Sequence, residues 1–146
     1  MKLYILNGPN LNMLGIREPE HYGSVNYESL LRMIKEHCEK LGVECVCYQT
    51  NHEGALVDMI QEAYFKGADG IVINPGAYTH TSIAILDAAK ATRLPLVEVH
   101  ISKVEEREAY RRVSYIREAA IKTISGRGVN GYIEAIDLLY AKISKK

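Results

Sequence analysis

The chain has 146 residues, with 18 Lys plus Arg against 18 Asp plus Glu, 47% apolar residues and 25% charged. That length suits one domain over residues 1–146, with enough chain to bury a real core. Zero net charge argues against nucleic acid or a membrane surface as partner, since both need Lys and Arg in surplus on one face. No apolar stretch approaches the roughly 18 residues that span a bilayer.

Residues 2–6 read as a short strand after an N-terminus too short for a signal peptide. Tyr27, Leu30, Leu31, Ile34, Cys38 and Leu41 fall on one helical face, which Gly42 ends. Residues 43–49 alternate as a strand. Leu56, Ile60, Ala63 and Tyr64 mark a second helix, stopped by Gly67. Ile71-Val72-Ile73 is a wholly apolar strand, and residues 82–92 are Ala-rich and helical. Residues 96–99 and 121–124 supply two more strands around a polar segment, and Ile133, Ile136, Leu139, Tyr140 and Ile143 mark the last helix. Cys38, Cys45 and Cys47, an odd count with C-x-C spacing, read as reduced thiols of a cytoplasmic protein.

Five strands alternating with helices predict an α/β fold: a flavodoxin-like, doubly wound, five-stranded parallel sheet with helices on both faces. Two connections exceed what such a fold needs. Residues 8–24 carry Gly8, Pro9, Gly15, Pro19 and Gly23 with no helical period, and residues 100–118 are dense in charge. Connections this long are usually functional or disordered.

Ligands of open α/β sheets bind beyond the carboxyl ends of the strands. The predicted strands are followed there by Asn7-Gly8-Pro9-Asn10, by Asn51-His52-Glu53-Gly54, by Asn74 through Ser82, and by His100-Ile101-Ser102. Three of the five histidines, His52, His80 and His100, therefore collect at one edge. Pro75-Gly76 makes a turn, and Thr81 or Ser82 can cap the next helix. Asn74 and His80 are not needed for that turn and suit hydrogen bonds to substrate hydroxyls. Glu98 and His100, two apart on a strand, point to one side. A carboxylate there orients an imidazole and favours its charged form, which suits a general acid; a strand-end ion pair fits as well.

Arg17 and Tyr22 lie five apart in the first long connection. A guanidinium beside a phenol favours the phenolate, although an ordinary exposed Arg and a packed Tyr read equally from spacing. The run Arg107-Glu108-Ala109-Tyr110-Arg111-Arg112 is either a solvated helical face or the clamp of a carboxylate substrate. Gly126-x-Gly128-x-x-Gly131 matches a dinucleotide fingerprint, but no second βα unit with a ribose-binding acid follows it. The sequence lacks a flavin-phosphate loop, receiver-domain aspartates, a Walker lysine and a nucleophile elbow. No H-x-x-x-H or paired-acid spacing supports a metal site.

Taken together, Leu6-Asn7-Gly8-Pro9-Asn10-Leu11-Asn12-Met13-Leu14-Gly15, Arg17-Glu18-Pro19, Tyr22-Gly23, Asn51-His52-Glu53-Gly54, Asn74 through Ser82, Glu98-Val99-His100-Ile101-Ser102 and Gly126-x-Gly128-x-x-Gly131-Tyr132 resemble the type II 3-dehydroquinate dehydratases over nearly the whole chain. Lys103 departs from the pattern, which commonly has Asn after the Ser.

The resemblance implies loss of water from 3-dehydroquinate to give 3-dehydroshikimate in the shikimate pathway, towards chorismate and aromatic amino acids. It implies anti elimination through an enolate, with no metal, cofactor or Schiff base. By the same resemblance Tyr22 is the base, Arg17 keeps it ionised and stabilises developing charge, and Asn10 holds a water against the enolate oxygen. His100 is the acid, oriented by Glu98. Asn74, His80, Ile101, Ser102 and Arg111 hold the substrate, Asp87 reaches in from a neighbouring subunit, and trimers assemble into a homododecamer.

Two other classes compete with the dehydratase. A non-catalytic module for a polyhydroxy acid would keep Asn74, His80 and Arg111 but has no need of Arg17 and Tyr22. A metal hydrolase would gather His52, His80 and His100 around one ion.

Overall fold

The computed structural model describes the whole chain except Arg17, Gly23 and the side chains of Pro19 and Tyr22. Five strands, β1 (Lys2–Asn7), β2 (Glu44–Gln49), β3 (Gly70–Asn74), β4 (Leu96–His100) and β5 (Lys122–Ser125), form one parallel sheet in the order β2-β1-β3-β4-β5. This is the expected flavodoxin-like order, with its reversal at β1 and β3. The helices are α1 (Pro19–Tyr22), α2 (Tyr27–Leu41), α3 (Glu53–Phe65), α4 (Ile83–Thr92) and α5 (Asn130–Ser144).

Strand alternation divides the core in two. Leu3 and Ile5 of β1, with Val72 of β3 and Val97 and Val99 of β4, pack against Leu30, Ile34 and Cys38 of α2 and Ala135, Ile136 and Leu139 of α5. Tyr4 and Leu6, with Ile71, Ile73 and Leu96, pack against Leu56 and Ile60 of α3 and Ile85 and Ala89 of α4. Both faces are therefore covered, which explains why β3 reads as an unbroken apolar run.

The helix boundaries follow local chemistry. The Asn26 carboxamide oxygen accepts from the Ser29 N–H at 2.8 Å and starts α2. Gly42, at φ 68°, ends it in the left-handed region that glycine reaches at least cost. Of the two candidate caps of α4, Ser82 is the one used: its Oγ accepts from the Ile85 N–H at 3.0 Å.

The structure differs from the sequence reading in the two long connections. Residues 8–24, expected to lack helical order, hold a 3-10 turn at Leu11–Met13 and the single helical turn α1. Residues 100–118 are wound into three 3-10 turns, Val104–Glu106, Ala109–Arg112 and Ile116–Glu118. Their spacing is too short for a 3.6-residue period to register. β3 and β4 also run one residue further than the apolar pattern, ending on Asn74 and His100 themselves.

The turns after β1 and β3 abut. The Gly8 N–H donates to the Asn74 carbonyl at 2.8 Å. A Cβ at Gly8 would lie 2.3 Å from the Pro75 carbonyl oxygen, a backbone atom that cannot swing aside. Gly8→Ala is expected to destabilise the fold by roughly 1–3 kcal/mol through this overlap. Urea unfolding measures it, and an unchanged midpoint would refute the close approach.

Candidate active site

A cleft opens beyond the carboxyl ends of β1, β3 and β4. Asn10, Leu11 and Leu14 come from the turn after β1, Asn74, Ala77 and His80 from the turn after β3. His100, Ile101 and Ser102 from the end of β4, with Arg107 and Arg111 beyond, close the wall. This is where ligands of such sheets bind.

Glu98 is the most buried charge at the cleft, with no exposed surface. Its Oε1 lies 2.6 Å from His100 Nε2 and accepts from Ser114 Oγ at 2.6 Å. Its Oε2 accepts from Thr123 Oγ1 at 2.6 Å, with Arg117 Nε 3.7 Å away. Burial pushes this carboxyl up, but the hydrogen bond and charge of His100 and the two hydroxyl donors outweigh it, holding the group at about 2. An ionised carboxylate only accepts, so His100 Nε2 carries a proton toward it. Nδ1 is the ring nitrogen left for other chemistry.

His80 is set the opposite way. Burial lowers its pKa below 6.5, and the charges of His100 and Arg111 push the same way; the Val113 carbonyl opposes them. The neutral ring donates from Nδ1 to that carbonyl at 2.6 Å, which leaves Nε2 as an acceptor. Asn74 is fixed from two sides, the turn after β3 and α5. Its Oδ1 accepts from the Gly76 N–H at 3.1 Å and its Nδ2 donates to Tyr132 Oη at 3.0 Å. The Tyr132 hydroxyl donates onward to Asn7 Oδ1. Tyr132 is fully buried, and burial raises its pKa, so it stays a protonated donor.

Asn10 has φ 68°, and its N–H donates to Asn51 Oδ1 at 3.1 Å, which ties the turns after β1 and β2 together. Arg111 pairs with Glu108 at 2.7 Å and stacks on the Tyr110 ring at 5.4 Å. Arg107, whose side chain is 6% exposed, donates from Nη1 to Ser102 Oγ at 3.3 Å and faces Glu18 at 3.7 Å. The Gly126 and Gly128 N–H groups donate to the carbonyls of His100 and Ile101 at 3.2 and 3.1 Å. The apparent dinucleotide fingerprint thus clamps the end of β4.

The cleft gathers Asn10, Asn74, His80, His100, Ile101, Ser102 and Arg111 of the predicted site, with Glu98 behind His100. Asp87 is elsewhere, exposed on α4. His52 precedes α3 and does not line the cleft with His80 and His100. Among the described residues no three His, Cys, Asp or Glu side chains are grouped to hold a metal ion. Arg17 lies outside the described residues. Tyr22 ends α1, and its side chain is likewise outside them.

Sequence reasoning named Arg107 among the candidate clamp arginines, but it missed Ser114, Thr123 and the link from Tyr132 to Asn7 as contributors to this region. Thr123 was findable: parallel registry sets it beside Glu98 on the neighbouring strand. Ser114 carries no local signal, because it meets Glu98 only after the 3-10 turns fold back.

The family model described as Dehydroquinase class II matches residues 1–140. The chain belongs to this family. A relative named 3-dehydroquinate dehydratase, from Clostridium perfringens (strain SM101 / Type A), is 50% identical over 146 residues, 100% of each chain. Another of that name, from Caldicellulosiruptor bescii, is 51% identical over 92% of this chain and 93% of its own. The crystal structure of a type II dehydroquinase from Butyrivibrio crossotus matches with TM-score 0.94 and 56% identity, covering 95% of this chain and 97% of that one. A type II dehydroquinase from Propionibacterium acnes matches with TM-score 0.91 and 36% identity, covering 96% of each. These relatives are named as enzymes, which does not favour the non-catalytic binding module.

Because the folded Glu98 carboxyl sits at about 2 against an ordinary 4.5, its charge stabilises the fold above pH 4.5. That contribution is lost as the pH falls toward 2. Glu98→Gln should therefore lower stability at pH 7 by roughly 1–3 kcal/mol, the cost of upsetting a buried charge-assisted network. It should also flatten the acid-side loss between pH 4.5 and pH 3 relative to wild type. Denaturant unfolding at pH 7, 4.5 and 3 checks both; parallel acid limbs would contradict the assignment.

Proposed function

We propose that this protein is a 3-dehydroquinate dehydratase that removes water from 3-dehydroquinate by anti elimination through an enolate. The observation that supports it most is the buried Glu98–His100 pair, 2.6 Å apart, opening onto a cleft that also holds Asn74, His80 and Arg111. Elimination of this kind needs a base, an acid and donors for the oxyanion, each in a different protonation state at one pH.

Tyr22, as phenolate, removes the proton beside the ketone. Arg17 keeps it ionised and stabilises the charge that develops. The electron pair moves onto the carbonyl oxygen, where Asn10 holds a water as hydrogen-bond donor. His100 Nδ1 then gives its proton to the departing hydroxyl as the C–O bond breaks, the enolate collapses to the conjugated enone, and Nε2 stays bound to Glu98. Binding follows the same chemistry. Arg111 takes the substrate carboxylate with the Ile101 backbone and Ser102 hydroxyl. Asn74 donates to a substrate hydroxyl, and neutral His80 accepts from one at Nε2.

Asp87, exposed on α4 and apart from the cleft, acts in this reading from a neighbouring subunit. In this reading trimers assemble into a homododecamer. The enzyme works in the cytoplasm, in the shikimate pathway, with no metal or cofactor.

Purified protein should convert 3-dehydroquinate to a product absorbing in the ultraviolet. Tyr22→Phe should lower kcat by about 10²–10⁴-fold with an unchanged circular-dichroism spectrum. Wild-type turnover in that variant would remove Tyr22 as the base. Borohydride added with substrate should leave activity intact, because no imine forms; inactivation would indicate a Schiff base.

A further inference from the structure

We propose that Ser114 and Thr123 are positioning residues for His100, acting through Glu98: their two hydroxyls fix the carboxylate so that it can hold the imidazole. The proposal rests on His100 being the general acid. Neither hydroxyl lines the cleft.

Both oxygens of Glu98 are held. Oε1 carries His100 Nε2 and Ser114 Oγ, each at 2.6 Å. Oε2 carries Thr123 Oγ1 at 2.6 Å, with the Arg117 guanidinium at 3.7 Å. The facing groups come from three places: His100 from the same strand, Thr123 from β5, and Ser114 and Arg117 from the segment after β4. On the other side, β3 presents the apolar Ile73. His80 and its carbonyl partner Val113 lie close by.

A buried carboxylate with several acceptor sites swings about its terminal torsion unless each oxygen is held. His100 bonds to one oxygen alone, so it does not fix the carboxylate plane. Thr123 pins the other oxygen, and Ser114 pins the first from a second direction. Both hydroxyls face a carboxylate that can only accept, so the proton of each points at Glu98. Ser114 also lies in the short run in which Arg111 lines the cleft and the Val113 carbonyl holds His80. One strap therefore sets three side chains of the site.

The test uses Ser114→Ala, Thr123→Val and Thr123→Ser in the full chain. Dehydration of 3-dehydroquinate is followed, together with a carbon-13 NMR titration of the Glu98 carboxyl between pH 7 and pH 3. Ser114→Ala and Thr123→Val should each lower kcat about tenfold with KM within about twofold, since they misplace the acid without touching substrate. Thr123→Ser, which restores the hydroxyl, should return kcat to near the wild-type value. In Thr123→Val the Glu98 carboxyl should begin to protonate within the titrated range, while in wild type it stays ionised.

Unchanged kcat in both deletions overturns the proposal. So does a loss that Thr123→Ser fails to restore, or a Glu98 titration identical in all four proteins. A wild type inactive on 3-dehydroquinate overturns the catalytic reading instead, and the carboxyl titration then still decides whether the hydroxyls hold Glu98 ionised.

Discussion

A carboxylate with no exposed surface is costly unless hydrogen bonds and a cation compensate its charge. Glu98 meets that condition through β4, β5 and the segment between them, and much of the site's construction follows from it. β5 must pair with β4 in the register that sets Thr123 beside Glu98. The chain after His100 must fold back so that Ser114 returns to the same carboxylate. The first two 3-10 turns make this return in few residues, and in doing so they carry Arg107 and Arg111 to the cleft wall.

A second constraint ties the two faces of the sheet. Tyr132 is rooted in α5, on the face it shares with α2, yet its hydroxyl reaches the ends of β1 and β3 through Asn7 and Asn74. The order of strands makes this possible, since β1 and β3 are adjacent at the point where the winding reverses. The amide of Asn74 is therefore oriented before any substrate arrives, and preorganised donors act without reorganisation during the reaction. The neutral charge of the chain hides the contrast within this region: His100 and Arg117 face the buried Glu98, and Arg107 and Arg111 lie at the cleft wall beside Glu18 and Glu108. Cations gathered at one end of the sheet suit a small monocarboxylate far better than a polyanion.

The fold was largely legible because both its periods were. Strand runs and helical faces alternate along the chain, and the strand ends could be searched for polar groups that a plain turn does not need. That search found Asn74, His80, His100 and Glu98, four residues that the structure brings to one place. His52 also follows a strand but does not line that cleft; β2 is at the edge of the sheet, away from β4. The segments that wind into 3-10 turns were read as long connections, since three or four residues give no period to detect.

By itself, then, the sequence determined the α/β class, the parallel sheet, the two apolar faces and the pairing of Glu98 with His100, because those follow from local alternation and from spacing within one strand. The tertiary structure alone decided which oxygens of Glu98 are held and by whom, which nitrogen of each histidine is left to act, and that a glycine motif resembling a nucleotide loop clamps the end of β4. Apart from the His100–Glu98 contact within one strand, those outcomes depend on contacts between residues 16 to 125 positions apart, such as Ser114 with Glu98 and Tyr132 with Asn7. No local pattern encodes such contacts; they exist only once the sheet order and the return of the chain are set.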